Sequence, residues 1–468
     1  MTRTLTLQDR MTASLADRSL FQQALAQACD YMEGIDRQPV FPPAEALAGL
    51  AAFDEPLPEH PCDPSAMLRL LHQAGSPATT AGTGGRYFGF VDGGALPPAL
   101  AAKWLADVWD QNAALYVISP VTSKLEALCE TWLLDLLGLP EGCVAGLVGG
   151  TSTATMVGIA AARQELLARQ GWDVNAQGLF GAPPMRVVIG AEAHGTAFKA
   201  LALLGLGRER VERVPVDGQG RMRADAMPEL DAHTLVLAQA GNVNSGAFDP
   251  FEAICDRAAA AGAWVHVDGA FGLWAAAAPG RRHLVQGVER ADSWSVDAHK
   301  TLNAPYDCGI VLCRHPQAVL AAMQNVGAYI VYSEKRDGML YTPEMSRRAR
   351  GIELWATLKT LGRSGAAELV EGLCERARQA AELLRLAGFR VLNEVVFNQV
   401  LVACADRERT LATLERLQGS GECWCGGSTW QGEAVIRLSV CSWATTARDI
   451  DRTVAAFVRA AEAPGEGA

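Results

Sequence analysis

The sequence predicts an α/β fold in which a mostly parallel sheet is covered by helices on both faces. Short apolar runs alternate with helical segments through the middle of the chain, which is the pattern of successive strand–helix–strand units. The chain has 468 residues, 49% of them hydrophobic and 20% charged. A chain of this length and composition buries a large core and divides into a main domain with smaller parts.

The first part of the chain is predicted to be helical. Residues 20–32 show helical periodicity, and the pair Pro42-Pro43 marks the start of another helix. We therefore expect residues 1–85 to form a helical N-terminal segment. Residues 1–18 are polar and charged, so no signal peptide is expected, and no apolar run reaches the roughly 18 residues of a membrane helix.

Six segments in the middle of the chain have the apolar character of buried strands, and helical segments lie between several of them. They are residues 186–190, 210–216, 235–238, 263–268, 293–296 and 310–313. Helices are then predicted at 351–361 and 366–387, followed by a smaller α/β region with strands at 390–392, 399–403 and 434–440. We expect a large domain over residues 86–365 and a small C-terminal α/β domain over residues 366–468.

Residues 328–350 interrupt the alternation of strands and helices. The segment is polar, with the charged residues 334–338 at its centre, and it predicts a long mobile loop. Loops of this length inside compact domains often close over active sites.

The charge and cysteine content limit the kinds of partner. The net charge of −11 and the isoelectric point near 5.3 argue against nucleic acid or an anionic membrane as the main partner. The twelve cysteines are scattered and lie mostly in apolar runs, and the pair Cys423 and Cys425 lacks the neighbours of a zinc site. We expect reduced thiols, a cytoplasmic protein and no metal site.

A glycine pair and two hydroxyl residues precede one of the predicted helices. Gly149 and Gly150 allow close backbone approach, while Thr151 and Ser152 supply hydroxyl and backbone donors at the start of an Ala-rich helix. The arrangement predicts an anion site, although the same residues also serve as an ordinary helix N-cap.

Two predicted strands place chemically active side chains at the carboxyl edge of the sheet. Asp268 ends one strand, and Lys300, preceded by His299, follows another strand 32 residues later. Open α/β sheets bind ligands at this edge, so we expect both side chains to face one crevice. His194 follows a third strand and is expected to join them.

This set of groups suits pyridoxal 5′-phosphate (PLP), which needs a phosphate cup, an amine for its aldehyde and a carboxylate for its ring nitrogen. We expect Lys300 to form the Schiff base and Asp268 to keep the ring nitrogen protonated. His194 is expected to stack on the ring and orient the substrate. The expected phosphate ligands are Thr151, Ser152 and His299.

The motifs that carry these residues resemble a known family. The segments 149–152, 193–194, 266–270 and 292–300 are similar to those of the group II PLP-dependent amino-acid decarboxylases, which include aromatic-L-amino-acid, glutamate, histidine and diaminobutyrate decarboxylases. The resemblance covers nearly the whole chain, because segments 119–141, 346–355 and 437–446 also resemble the family in the same order.

The resemblance implies the aspartate-aminotransferase fold, fold type I, with a mostly parallel seven-stranded sheet in the large domain. It implies a homodimer with active sites at the interface, in which residues 1–85 wrap around the partner. It also places Ala270 among the cofactor contacts. The implied reaction converts an L-amino acid to the corresponding amine and CO2. The family's mobile loop carries a tyrosine implicated in protonation, and Tyr341 is the best match, with Tyr332 as second choice.

The chain departs from the family pattern at several positions. Val243 replaces a hydroxyl residue near the cofactor, and Asp297 stands where some relatives have asparagine. A carboxylate there is unfavourable beside a phosphate unless it points away. Phe90 and Val91 occupy positions of aromatic pocket residues. The expected pocket walls (Tyr87, Phe88, Phe90, Val91 and Tyr116) favour an aromatic or apolar substrate side chain.

Three hypotheses follow for the function. The first is a decarboxylase that forms an amine. The second is the same scaffold with another outcome, namely decarboxylation with oxidative deamination to an aldehyde, or another lyase or aminotransferase reaction. The third is a non-catalytic PLP-binding homologue, which predicts loss of Lys300 or Asp268, and both are present.

Overall fold

The structure is a computed structural model that describes residues 5–324 and 332–462. A seven-stranded sheet forms the centre of its larger part. The strands, in chain order, are β1 (Tyr87–Phe88), β2 (Val144–Val148), β3 (Arg186–Gly190), β4 (Glu212–Val214), β5 (Thr234–Gln239), β6 (Trp264–Asp268), β7 (Ser293–Asp297), β8 (Gly309–Cys313), β9 (Arg390–Val391), β10 (Gln399–Ala403), β11 (Trp424–Trp430) and β12 (Glu433–Ser439). The large sheet has the order β2-β8-β7-β6-β5-β3-β4.

The α-helices pack around this sheet and a second, smaller one. They are α1 (Leu7–Ala16), α2 (Ser19–Gly34), α3 (Ala44–Gly49), α4 (Pro64–Leu70), α5 (Pro97–Trp109), α6 (Pro120–Leu137), α7 (Thr151–Ala168), α8 (Val174–Gln177), α9 (Gly195–Leu203), α10 (Phe251–Ala261), α11 (Pro316–Met323), α12 (Gly351–Leu386), α13 (Arg407–Gly419) and α14 (Ala447–Glu462). None of these helices, in the part of the chain that the structure describes, combines the length and hydrophobicity needed to cross a membrane.

The large sheet is mostly parallel, as the sequence predicts. β4, β3, β5, β6 and β7 run parallel to one another, while β8 is antiparallel to both β7 and β2. Asp268 pairs in register with Ser295, two residues before Asp297. The carboxyl ends of β6 and β7 therefore lie side by side.

Helices cover both faces of the large sheet. On one face, apolar residues of α7 such as Val157 and Ile159 pack against Val187 and Leu235 in a buried cluster. The larger cluster on the other face includes Val267, Trp274 and Trp294. The predicted α/β class is confirmed, and β2 is the large-sheet strand that the sequence analysis missed.

The smaller sheet has the order β1-β11-β12-β10-β9. Its strand β11 was not predicted, because Gly426, Gly427 and Ser428 give it little apolar periodicity. β1 runs parallel to β11, with Tyr87 opposite Trp424. The division at residues 85/86 and 365/366 stays a prediction, but β1 joins the sheet of the C-terminal region although it falls within the range proposed for the large domain.

The long helix α12 contains the break that the sequence predicts between two helices. Gly362 has φ 57° and ψ −167°, which is outside the helical region and accessible mainly to glycine. The first half of α12 lies against α5 and α6, and the second half packs on the small sheet.

The described part of the predicted mobile loop is anchored to the large domain. Arg347 forms a two-pronged ion pair with Glu126 (2.7 and 2.9 Å), and both side chains are buried. Asp337, also buried, accepts hydrogen bonds from the backbone N–H groups of Tyr116 and Ser333. Residues 332–350 contain no α-helix or β-strand, as predicted, while 328–331 lie outside the described residues. The mobility of this loop stays a prediction.

Candidate active site

Lys300 lies at the carboxyl end of β7, where the chain turns sharply. Asn303 holds this turn with its side-chain amide, which donates to the carbonyls of Lys300, Thr301 and Cys441. The Asn303 carbonyl oxygen accepts the backbone N–H groups of Gly94 and Trp443. One side chain thus joins the lysine turn to a distant loop and to the small domain.

Asp268 ends β6 beside Lys300, as the sequence predicts. Its carboxylate accepts one hydrogen bond, from the backbone N–H of Ala270 (3.2 Å). Burial raises the pKa of Asp268, and the nearby His194 and Lys300 oppose that shift. A positively charged N–H beside this carboxylate would favour its ionised form.

His194 is the N-cap of α9. Capping the helix does not exclude the predicted role of this residue in the site, because its other ring nitrogen does not take part in the cap. Its Nδ1 accepts the backbone N–H of Thr196 (3.3 Å), which leaves the ring proton on Nε2. Desolvation lowers the pKa of His194, Lys300 and Arg437 lower it further, and Asp268 raises it. His194 is exposed as a residue in a single chain. The imidazole is therefore a neutral Nε2–H donor at neutral pH.

Gly149 and Gly150 form a narrow cradle in front of α7. A Cβ on Gly150 would lie 3.5 Å from His299 and 3.7 Å from Asp297, so any side chain here would fill the cradle. His299 Nδ1 accepts the backbone N–H of Cys308 (3.0 Å), which leaves its ring proton on Nε2. Burial lowers the pKa of His299.

Asp297 points into this cradle and not away from it. Its carboxylate accepts both the backbone N–H and the hydroxyl of Thr151, each at 2.7 Å, and lies 3.0 Å from Lys300 Nζ. Thr151 is therefore already bonded within the chain, and Ser152 is exposed. The sequence analysis left open whether this carboxylate points away from the phosphate position, and the structure directs it at Thr151 and Lys300.

The expected substrate-pocket residues have different surroundings. Phe90 is 64% exposed and stacks on Trp424, whose other neighbour in the stack is Tyr87. Val91 is buried in the main core cluster, and its assignment to the pocket wall stays a prediction. Tyr116 is partly exposed, and its backbone N–H binds Asp337 of the anchored loop.

Tyr306 and Arg437 also contribute to the site, and the sequence analysis gave neither of them a role. The hydroxyl of Tyr306 donates to the Asp92 carboxylate (2.7 Å), and the Tyr306 ring stacks on His299. Burial, with help from Asp92, raises the pKa of Tyr306, so it remains a donor. Arg437 donates to the carbonyl of Val243 (2.7 Å), while its buried Nε has no partner among the described residues. The backbone of Val243 thus helps to hold Arg437.

Tyr341 lies elsewhere. Arg336 covers its ring at 4.4 Å, and Arg336 itself binds Glu130 and the carbonyl of Ala145 near the amino end of β2. The cradle and Lys300 lie at the opposite, carboxyl end of the sheet. The structure does not bring Tyr341 to Lys300, and Tyr332 packs in a separate small cluster with Leu115 and Met339.

The residues present fit PLP. The glycine cradle suits a phosphate group, and Lys300 and Asp268 supply the amine and carboxylate that the cofactor needs. No group of three or more His, Cys, Asp or Glu side chains that could hold a metal is found within the described ranges. The fold and site together define a fold type I enzyme of the PLP-dependent class.

The chain belongs to the pyridoxal-dependent decarboxylase family, whose conserved domain matches residues 49–403. It is 27% identical over 466 residues to tryptophan decarboxylase 1 of Oryza sativa subsp. japonica, covering 90% of this chain and 89% of that protein. It is 26% identical over 359 residues to aromatic-L-amino-acid decarboxylase of Bacillus atrophaeus, covering 74% and 72%. An acidic amino acid decarboxylase of Mus musculus is 29% identical, covering 67% of this chain and 59% of that protein.

Solved structures of similar proteins have the same fold. Oryza sativa TDC with PLP and tryptamine superposes with a TM-score of 0.87 at 23% identity, covering 98% of this chain and 99% of that one. Mouse CSAD in apo form gives 0.87 at 22% identity, covering 96% and 100%. The fold type I prediction is confirmed, and the protein is a PLP-dependent amino-acid decarboxylase.

Proposed function

We propose that this decarboxylase converts an aromatic L-amino acid to the corresponding amine and CO2, using the residues gathered around Lys300. Lys300 supplies the amine that holds the cofactor aldehyde, and Asp268, steadied by the N–H of Ala270, receives the ring nitrogen. Bound PLP supplies an electron sink for the electrons left at Cα when CO2 departs. The observation that carries this proposal is the position of Lys300 and Asp268 at adjacent strand ends.

His194 and Arg437 are proposed to orient the substrate. The Nε2–H of His194 is a neutral donor, and Arg437 carries a positive charge close enough to lower the pKa of His194. Both groups suit the α-carboxylate before it leaves. Holding that group out of the ring plane directs the breaking bond toward the electron sink.

The substrate side chain is proposed to be aromatic and to end in a hydrogen-bond donor. Tyr87, Trp424 and Phe90 form one stacked wall, with ring centroids 5.3 and 5.5 Å apart. Asp92 adjoins this wall and adds a carboxylate, which accepts hydrogen bonds and repels another carboxylate. An indole N–H or a phenol suits this wall better than the side chain of an acidic amino acid.

The chain is also proposed to act as a homodimer in the cytoplasm. Helices α1 to α4 contain no buried residue, and large apolar side chains on them are exposed in a single chain. Examples are Leu7, Met11, Leu15, Phe21 and Leu25. A groove of about 810 Å³ between α2, α4 and α5 is also lined by apolar groups. The free state of all twelve cysteines agrees with a reducing compartment.

The test is to incubate purified holoenzyme with a panel of L-amino acids and to measure CO2, amine, aldehyde and peroxide. The proposal predicts amine and CO2 in equal amounts from tryptophan or tyrosine, and little turnover of glutamate or aspartate. Asp92→Asn is expected to narrow the difference between aromatic and acidic substrates. Aldehyde and peroxide as main products would instead support decarboxylation with oxidative deamination. The proposed homodimer is tested separately, by measuring the molar mass of the protein in solution with light scattering.

A further inference from the structure

The phosphate end of the site already contains an anion supplied by the chain itself. The Asp297 side chain is 2% exposed, and it accepts the backbone N–H and the hydroxyl of Thr151 at the first turn of α7. Lys300 Nζ lies 3.0 Å and His299 Nε2 3.6 Å from the same carboxylate oxygen. Every one of these groups is a hydrogen-bond donor.

These donors are the ones that a phosphate ester needs. A helix N-terminus favours one negative charge through its free N–H groups and dipole. Two anions in a buried cup repel each other unless a proton lies between them, as in pairs of carboxylates that share a site. Asparagine would not create this conflict, because its amide is neutral.

The other charged and titratable groups around Asp297 do not remove the conflict. They are Lys300, His299, Asp268, Tyr306 and Cys441, and, at Gly149, the Asp307 carboxylate and the Arg350 guanidinium, which are paired with each other at 3.2 Å. Lys300 is the cation closest to Asp297, and its single charge does not balance both a carboxylate and a phosphate dianion. Asp268 adds a further negative charge when ionised. A proton on Asp297 or on the phosphate is therefore the remaining way to neutralise the pair.

We propose that Asp297 is an internal anion at the phosphate end of the site, and that a phosphate ester takes up one proton when it binds there. The proton comes from solvent and resides on Asp297 or between Asp297 and a phosphate oxygen. This proposal rests on the cofactor assignment made above. Its consequence is that affinity for the phosphate-bearing cofactor falls as the pH rises.

The experiment uses apoenzyme and pyridoxine 5′-phosphate, which has the ring and phosphate but no aldehyde, so Lys300 forms no covalent bond with it. Calorimetric titrations in buffers of different ionisation enthalpy give both the affinity and the number of protons taken up. Above about pH 7 the phosphate is already mostly a dianion, because its second pKa is about 6. The ring nitrogen and the phosphate can also take up a proton on binding, so the difference in uptake between wild type and Asp297→Asn is the quantity that reports on Asp297.

The expected wild-type Kd rises with pH, approaching a tenfold increase per unit for a one-proton linkage. Asp297→Asn is expected to bind at least about tenfold more tightly at the alkaline end and to take up about one proton fewer. Asp297→Ser is the second variant if the amide disturbs folding. Asp225→Asn is the charge control, since Asp225 is exposed and pairs with Arg223 and not with Thr151, and it should leave proton uptake unchanged.

Equal affinity and equal proton uptake in wild type and Asp297→Asn overturn the proposal. The proposal is also overturned if Asp297→Asn increases the affinity for pyridoxine, which lacks the phosphate, as much as the affinity for pyridoxine 5′-phosphate. Asp297 would then act on another part of the ligand. Failure of both proteins to bind pyridoxine 5′-phosphate overturns the cofactor assignment itself, so the two failures are distinguishable.

Discussion

Asp268 and Asp297 are the same residue type at the ends of adjacent parallel strands, yet their surroundings differ. Asp268 accepts one backbone hydrogen bond, and burial raises its pKa. Asp297 accepts two hydrogen bonds from Thr151 and pairs with Lys300. The first carboxylate therefore has acceptor capacity left for a ligand, whereas donors of the chain surround the second.

The difference teaches that a carboxylate at the ligand edge of a sheet has no fixed role. A buried acid with few internal partners favours a cationic ligand, because the ligand restores its ionised form. A buried acid with several internal donors competes with an anionic ligand for those donors. The two ends of one cofactor site can then respond in opposite ways when the carboxyl group is replaced by an amide.

Removal of Lys300 should have the largest effect on activity. Lys300→Ala is expected to reduce kcat by at least about a thousandfold, because the lysine amine is used in every turnover. When catalytic residues act as a unit, loss of one of them removes most of the activity. The variant should also lose the borohydride-stable attachment of PLP. Lys199→Ala, which alters an exposed lysine on α9, is the control and should retain both properties. Wild-type turnover by Lys300→Ala would contradict the assigned role.

Asp268→Asn tests the ring-nitrogen end of the comparison. We expect kcat to fall on the order of 10²–10⁴-fold, since the amide no longer stabilises a protonated ring nitrogen. In Asp268→Asn, the proton uptake linked to the phosphate should stay as in wild type. In Asp297→Asn, this uptake should decrease while kcat changes much less. Steady-state kinetics and titration calorimetry on both variants measure this difference. Identical effects of the two substitutions would show that the two ends do not act separately.

Sequence reasoning located Lys300 and Asp268 because each follows a strand, and parallel strands end at one edge. It could not locate contacts that depend on which loops meet. The pair Asp92–Tyr306 is separated by 214 positions, and the Gly94–Asn303 hydrogen bond by 209. Local periodicity has no information about such contacts.

The same limit explains why the different burial of Phe90 and Val91 was not predicted. Phe90 and Val91 both have positive φ values (49° and 70°), which bulky residues rarely adopt. This turn leaves the Phe90 ring largely exposed and buries Val91 in the core. The family resemblance assigned both residues to one pocket wall, because the unusual backbone conformation cannot be read from residue types.

Tyr341→Phe should have a smaller effect than either aspartate substitution. The ring packs under Arg336, and phenylalanine keeps that contact, so we expect kcat to change by less than about threefold. A proton donor in the reaction would contribute about 10²–10⁴-fold. The ratio of amine to aldehyde, measured with kcat, checks both points. A large loss of amine with a gain of aldehyde would restore the role that the family resemblance assigned to Tyr341.

His266 should influence the stability of the strands that carry the two aspartates, with little effect on activity at neutral pH. It lies on β6, and its Nδ1 is 2.8 Å from the hydroxyl of Ser293 on β7. Complete burial lowers the pKa of His266 to about 3. Between this value and the ordinary value of 6.5, the unfolded chain binds one more proton than the folded chain.

His266 therefore does not reduce the free energy of unfolding above about pH 6.5, and it reduces this free energy progressively as the pH falls toward 3. From about pH 7.5 to about pH 5 this single group should lower the free energy of unfolding by about 2 kcal/mol. His266→Asn removes the titration, so its stability should depend less on pH in this range, although packing loss lowers the absolute value. Urea unfolding of apoenzyme at both pH values measures the difference. An unchanged pH dependence would show that His266 does not link acid stability to the β6–β7 pair.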